Sequence, residues 1–83
     1  MNVKRLKYPE LSPSGGVRLT DRERDALAWV AKGKSDWEIS RILGVSEATA
    51  RCHVDNARRK LGAANRAHAV ARMAVAGLLY GPV

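Results

Sequence analysis

The sequence has little cysteine, few aromatic residues and no phenylalanine. Its 83 residues include one cysteine, Cys52, and two histidines, His53 and His68. A lone cysteine excludes an intramolecular disulfide, and these three residues do not provide a standard four-ligand zinc site. Small domains usually supplement a small core with disulfides, metal ions or a partner subunit. Oligomerisation is therefore the means of stabilisation that the composition leaves open.

Acidic residues and long apolar runs are also scarce. Fifteen Lys and Arg residues against eight Asp and Glu residues give the chain a net charge of +7. This balance indicates a polyanionic partner, either nucleic acid or an anionic membrane surface. No apolar run approaches the roughly 18 residues of a membrane-spanning helix, so none is expected. The N-terminus also lacks the apolar stretch of a secretory signal, and we expect a cytoplasmic protein.

Residues 1–18 differ in composition from the remainder of the chain. Two prolines and two glycines interrupt this segment, and four basic residues against one acidic residue give it a charge of +3. Such a composition predicts a flexible basic arm or linker. Residues 19–83, in which eleven basic residues oppose seven acidic ones, carry +4 and are predicted to form one folded domain.

Three helix starts share one local pattern. Thr20 precedes Glu23 by three residues, and Ser35 precedes Glu38 by the same spacing. This is the capping-box spacing, in which the hydroxyl and the carboxylate each accept a hydrogen bond from the other residue's amide. Ser46 opens a third segment as an N-cap without the complete box.

The helix ends are also marked, because Gly33, Gly44 and Gly62 occupy positions where left-handed C-terminal caps are favoured. A fourth helix is predicted to begin after Asn65 and to end before Gly77. No window shows the alternation of a strand. The sequence therefore predicts an all-α domain, a trihelical core with a fourth helix attached, with helices at 21–32, 36–43, 47–61 and 66–76.

Apolar residues recur at helical spacing and predict one buried face on each of the first three helices. Trp29, at the edge of the first stripe, is also assigned to the core. The predicted inward residues are Ala26, Leu27, Val30 and Ala31, then Ile39, Ile42 and Leu43, then Ala50, Val54, Ala57 and Leu61.

The second and third helices have the proportions of a helix-turn-helix. A short helix, the turn 44–46 and a longer helix form this arrangement, in which the second helix of the pair enters the DNA major groove. With about 100° per residue, the face of the third helix opposite its buried stripe is narrow and mostly polar, and Arg58 flanks it. Arg51 on this face can reach a guanine O6/N7 pair or a phosphate. The predicted base-contacting residues are Ala48, Arg51, Cys52, Asp55 and Arg59.

Several stretches together resemble the LuxR-type (GerE-like) helix-turn-helix domain, and the resemblance covers residues 19 to about 76. Trp37 and the run 55–61 are more similar to the acyl-homoserine-lactone-responsive (quorum-sensing) regulators of that family than to phosphorylated response regulators. The matching stretches are 19–24 (LTDRER), 33–39 (GKSDWEI), 43–46 (LGVS), 49–54 (TARCHV), 60–62 (KLG) and 65–66 (NR).

The resemblance implies sequence-specific binding of double-stranded DNA for transcription regulation, with residues 47–61 in the major groove. It further implies a weak two-fold homodimer on a palindromic operator, with RNA polymerase as a candidate further partner. We expect a bacterial, nucleoid-associated protein that is not an enzyme and has no cofactor, metal or small-molecule ligand within this chain. The lactone receptors carry a separate N-terminal ligand-binding domain, so the chain is either a fragment of a larger regulator or a stand-alone domain.

Two further sets of residues follow from the resemblance. Trp37 is left with two interpretations, an indole N–H bound to phosphate or a ring packed between the second helix and its neighbours. The expected phosphate contacts are Lys34, Ser35, Trp37, Ser46, Thr49, Arg58 and Lys60. The expected dimerisation residues are Val70, Met73, Ala74, Gly77 and Leu78.

Asp55 departs from the family pattern, because some members have Lys, Arg or Gln at this position. It can accept a hydrogen bond from cytosine N4, or it can pair with Arg51 or Arg59 one turn away, and we favour the pairing. Two other functions remain open for the whole chain. One is a stand-alone module that heterodimerises with full-length LuxR-type regulators and inhibits them, and the other is a membrane-surface binder that depends on the arm.

Overall fold

The computed structural model describes residues 18–77, and these residues form four helices and no strand. The predicted all-α class is confirmed, and each predicted helix agrees with the observed one to within one residue. The three predicted ends that lie one residue too far, at 32, 61 and 76, fall on the C-cap residues. The helices are α1 (Asp21–Ala31), α2 (Asp36–Leu43), α3 (Glu47–Lys60) and α4 (Arg66–Val75). Almost all of the predicted arm, and Leu78, lie outside the described residues.

Both predicted capping boxes are formed. Thr20 Oγ1 accepts from the Glu23 amide at 3.1 Å, and Glu23 Oε1 accepts from the Thr20 amide at 2.9 Å. Ser35 and Glu38 repeat this exchange at 3.1 and 2.8 Å. Each box satisfies amides that the first turn of a helix leaves without a partner, which is worth on the order of 1 kcal/mol per cap. Local sequence thus determines where α1 and α2 begin.

Gly44 closes α2 and forms the turn into α3. Its φ of 71° lies in the left-handed region, which favours glycine because a Cβ there meets the following carbonyl. The next amide, that of Val45, donates to the Ser40 carbonyl at 3.0 Å. Only residues 44–46 therefore separate the two helices of the helix-turn-helix, as the sequence predicted.

The core is formed where α3 packs against each of the other three helices. All four residues of the predicted inward face of α3 are buried, and α4 contributes Ala69 and Met73. Trp29, Val30 and Leu43 are partly buried and pack against this core. The buried apolar residues are Ala26, Leu27, Ile39, Ala50, Val54, Ala57, Leu61, Ala63, Ala69 and Met73.

Two of the residues predicted to face inward are exposed instead. Ile42 is 45% exposed, because Ile39 and Ser40 provide the buried side of the short helix α2 and Ile42 lies beyond its edge. Ala31 is also exposed, because it is the last residue of α1 while the buried residues lie in the first two turns. Glu23 is buried on α1 although it is charged.

No helix among residues 18–77 combines the length and the apolar character that crossing a membrane requires.

Candidate nucleic-acid interface

The predicted groove-facing residues come together on one side of α3. Ala48, Arg51, Cys52 and Arg59 are exposed and Asp55 is half-buried, whereas Ala50, Val54 and Ala57 occupy the opposite, buried side. The small residues near the N-terminal end of α3 leave its backbone accessible. A shallow concavity of about 560 Å³ lies against this face, with Arg51, Cys52 and Asp55 among its lining residues.

Asp55 is paired within α3. Its Oδ2 accepts a hydrogen bond from Arg59, one turn along, and its Oδ1 accepts from Arg58 Nε at 3.0 Å. The favoured interpretation, pairing with a neighbouring arginine, is confirmed for Arg59 and not for Arg51. Two guanidinium groups therefore compensate the carboxylate, and this part of the face retains a net positive charge.

Arg51 is held by a carboxylate from another helix. Its Nε donates to Asp36 Oδ2 at 3.3 Å, and its Nη2 lies 3.6 Å from Glu47 Oε2. Asp36, the first residue of α2, also accepts from Arg66 Nη1 at 2.9 Å. The hydrogen bond from Arg66 lowers the pKa of Asp36 below its ordinary value against the opposing effect of burial, and Arg51 lowers it further.

Asp36 and Arg66 lie in stretches that resemble the family, but neither was assigned a role from the sequence. They lie 15 residues before and 15 residues after Arg51, far outside the spacing of three or four at which helical residues meet. Only the folded arrangement of the helices brings them together. An acidic residue at the start of a helix is favoured by the helix dipole and does not indicate a contact with a distant arginine.

The residues expected to contact phosphate include several at the N-termini of α2 and α3. Ser35, Ser46 and Thr49 are exposed, and Lys34 is half-buried. The Ser46 side chain accepts from the Thr49 amide at 3.0 Å and donates to the Thr49 hydroxyl at 2.9 Å. Helix N-termini attract anions through their free amides and dipoles. Phosphate contact at these positions stays a prediction.

Trp37 lies on the surface of α2. The residue is 56% exposed, and the Arg41 guanidinium carbon lies 5.4 Å from the centre of its ring. The interpretation in which the ring packs between α2 and its neighbours is therefore wrong. The other, a phosphate contact through the indole N–H, stays a prediction.

Two basic residues expected at phosphates already have protein partners. Lys60 Nζ donates to Glu23 Oε1 at 2.8 Å, and Arg58 Nη1 donates to the Ala63 carbonyl at 3.0 Å. Burial alone would raise the pKa of Glu23, but hydrogen bonds from Lys60 and from the Thr20 amide bring it below its ordinary value. Lys60 therefore joins α3 to α1, and its phosphate contact stays a prediction.

The predicted dimerisation set on α4 needs one correction. Met73 is fully buried in the core, so this side chain is not available to a partner, and Val70 is half-buried against the same core. Ala74 and Gly77 are exposed, and Leu78 lies outside the described residues. The apolar face that α4 leaves exposed consists of Ala67, Ala71, Ala74 and Val75.

Comparison with known proteins places this fold in a family. A family model described as "Bacterial regulatory proteins, luxR family" matches residues 17–74. The transcriptional activator protein BjaR1 of Bradyrhizobium diazoefficiens is 50% identical over 84% of this chain and 28% of its own length. The HTH-type quorum sensing-dependent transcriptional regulator RpaR of Rhodopseudomonas palustris is 52% identical over 75% of this chain and 26% of its own length.

The structural comparison agrees with the sequence comparison. The transcription factor GerE superposes with a TM-score of 0.69 and 35% identity, covering 72% of this chain and 90% of that one. This chain spans about a quarter of the length of the curated relatives named above. The family that the sequence resembles is thus confirmed by the family model, by the relatives and by the fold. The chain belongs to the luxR family of bacterial regulatory proteins and is a helix-turn-helix domain of the kind that binds DNA to regulate transcription.

Proposed function

We propose that this domain reads a specific double-stranded DNA sequence by inserting α3 into the major groove. The observation that carries the proposal is the exposed face of α3, where Ala48, Arg51, Cys52, Asp55 and Arg59 lie opposite the buried side. A helix of 14 residues is about 21 Å long and can follow the floor of the groove. Arg51 is the candidate for a bidentate contact with guanine O6 and N7.

Phosphate contacts would fix the register of α3 in the groove. The N-termini of α2 and α3 present Ser35, Ser46 and Thr49 at the surface, with Lys34 immediately before α2. Contacts with phosphates position a protein on DNA without reading its sequence, and basic groups supply most of the salt-dependent affinity. We therefore assign these residues to positioning and Arg51 to reading.

A two-fold dimer through α4 is the second part of the proposal. The exposed methyl groups of Ala67, Ala71 and Ala74, together with Val75 at 67% exposure, form a continuous apolar strip on α4. A second copy packed on this strip would bury the apolar surface and set the spacing of two recognition helices. The strip is small, so the dimer is expected to be weak until DNA holds both copies.

Selection of binding sites from random DNA tests both parts. The proposal expects enriched sequences with two inverted half-sites about 10 base pairs apart from centre to centre. Arg51→Ala should lower the affinity for the selected site by about 1–3 kcal/mol and relax its sequence preference. Recovery of sequences without any shared motif would contradict the proposal.

The exposed strip on α4 also favours a second candidate function. The chain could pair with longer relatives and inhibit them without reading DNA itself. Arg51→Ala would leave such inhibition intact, whereas Ala74→Glu would abolish it because a charge would enter the strip. The family consists of transcription regulators, so we propose a non-enzymatic protein of the bacterial cytoplasm, with RNA polymerase as a further candidate partner.

A further inference from the structure

Three helices meet at one carboxylate beside the face of α3 that is proposed to read DNA. Asp36 Oδ1 accepts from Arg66 Nη1 at 2.9 Å, and Asp36 Oδ2 accepts from Arg51 Nε at 3.3 Å. Asp36 begins α2, Arg66 begins α4, and Arg51 lies in the second turn of α3. The backbones of α2 and α4 do not pack on each other within residues 18–77, so these side chains provide a link between them.

The contact with Asp36 restricts the orientation of the Arg51 guanidinium. Asp36 engages Nε, on the side of the group that faces α2, and Nη2 lies 3.6 Å from Glu47 Oε2, while the Arg51 side chain remains 57% exposed. A guanidinium is planar, so carboxylates at Nε and Nη2 together restrict the plane in which the two terminal nitrogens lie. Those nitrogens are the pair that can bind guanine O6 and N7 end-on, in exchange for the longer contact of Nη2 with Glu47.

Arg66 makes a carboxylate acceptable at the start of α2, next to the proposed DNA-reading face. A free carboxylate at the start of α2 would repel phosphates close to the positions assigned to backbone contact. The Asp36 side chain is only 16% exposed, and two arginines share its charge, which leaves the group of three at +1. Arg66 thus holds the Asp36 carboxylate in position and offsets its charge. Arg51 is therefore not required for this and stays available to contact a base.

Resting on the proposed function, we infer that Asp36 is a positioning residue that sets the specificity of Arg51 for a G·C base pair. Without Asp36 the long arginine side chain samples many rotamers and can reach phosphates or other bases. With Asp36 its terminal nitrogens are held in one orientation before DNA arrives. Asp36 therefore contributes to sequence discrimination without touching a base.

The test measures the ratio of two affinities for the full 83-residue chain. One DNA is the site selected by the wild-type protein, and the other has the base pair that depends on Arg51 changed to A·T. A bidentate arginine–guanine contact discriminates by roughly ten- to a hundred-fold, so we expect Asp36→Asn to reduce the ratio by about three- to ten-fold. In an Arg51→Ala background, Asp36→Asn should produce no further change in this ratio.

Asp21→Asn is the matched control. Asp21 is the first residue of α1, as Asp36 is of α2, and its side chain is 91% exposed and, among residues 18–77, pairs with Arg24 on its own helix. Both substitutions remove one negative charge and should strengthen binding to both DNAs to a similar extent. Only Asp36→Asn should change the ratio.

Three results would overturn the inference. The first is an affinity ratio for Asp36→Asn equal to that for Asp21→Asn. The second is a fall in the ratio on Asp36→Asn that persists in the Arg51→Ala background, which would indicate a purely structural role. If Asp36→Asn does not fold, nuclear magnetic resonance on the wild-type protein replaces it. Exchange of the Arg51 Nε proton with water as fast as in free arginine would then reject the contact. Failure of the proposed function is separate, because the wild-type protein itself would then show no sequence preference.

Discussion

Lys60 Nζ lies 2.8 Å from Glu23 Oε1 and joins the end of α3 to the first turn of α1. The Glu23 side chain is 7% exposed, and the same carboxylate oxygen accepts from the Thr20 amide at 2.9 Å. One carboxylate thus completes the N-cap of α1 and holds the last residue of α3. Removing one partner of such a pair costs more stability than the pair contributes in total, because the other partner is left buried without compensation.

We predict that Lys60→Met destabilises the domain by about 1–3 kcal/mol, since Glu23 would remain buried with one donor fewer. Urea unfolding followed by circular dichroism measures this loss. Arg24→Met is the comparison, because Arg24 pairs with the 91% exposed Asp21, and exposed pairs contribute roughly 0–1 kcal/mol. Equal losses in the two variants would contradict a structural role for Lys60.

The Lys60→Met variant also tests whether Lys60 contacts DNA. If it also contacts a phosphate, Lys60→Met should weaken binding to all sequences alike and reduce the salt slope by about 0.9. If its only role is to pair with Glu23, the folded variant should keep the wild-type slope. Both outcomes are measured by titrating one DNA site at several salt concentrations.

Stability should fall in acid because of Glu23 and Asp36. Both have pKa values below their ordinary values of 4.5 and 3.8, so the unfolded chain binds protons more readily than the folded one. Their contribution is present above these ordinary values and is lost as the pH falls through the lower, folded pKa values. Urea unfolding between about pH 6 and pH 3 should show this decline. Glu23→Gln should make it shallower, and an unchanged profile in that variant would reject the assignment.

The helix boundaries could be predicted because their causes lie within a few residues. Thr20 and Glu23 are three residues apart, and the effect of Gly44 is confined to one turn. Contacts between helices depend on tertiary geometry instead. Asp36 meets Arg51 and Arg66 across 15 and 30 residues, and no periodic pattern in the chain reports that approach.

The buried face of a helix could be predicted only where its apolar residues form a narrow stripe. On α3 the apolar residues form one narrow stripe, and all four predicted core positions are buried. On α4 apolar residues surround most of the helix, so periodicity does not distinguish Met73, which enters the core, from Ala74, which is exposed. Ile42 was wrongly predicted to face inward, because spacing alone does not show how wide the buried side of the short helix α2 is.

Gly44→Ala tests the turn between α2 and α3. Apart from the adjacent residues in the chain, a Cβ built at this position meets no described atom within 4 Å, so the cost comes from the local backbone conformation at φ 71°. We expect a loss of about 1–2 kcal/mol in urea unfolding. Gly44→Asn should lose less, because asparagine adopts the left-handed region more readily. Equal losses for alanine and asparagine would argue that space, and not conformation, is limiting.

The corrected face of α4 provides the last prediction. Ala74→Glu places a charge in the exposed apolar strip, and we expect it to abolish cooperative binding to the two half-sites while changing stability by less than about 0.5 kcal/mol. Ala31→Glu is the matched control, because Ala31 is an exposed alanine near the end of another helix and lies outside the strip. Binding to single and paired half-sites is compared for each variant at equal salt, since both add one negative charge. Met73→Ala, in contrast, should leave a cavity in the core and lower the stability by about 2–5 kcal/mol. A variant of Ala74 that binds paired half-sites as cooperatively as the Ala31 variant would place the dimer contact elsewhere.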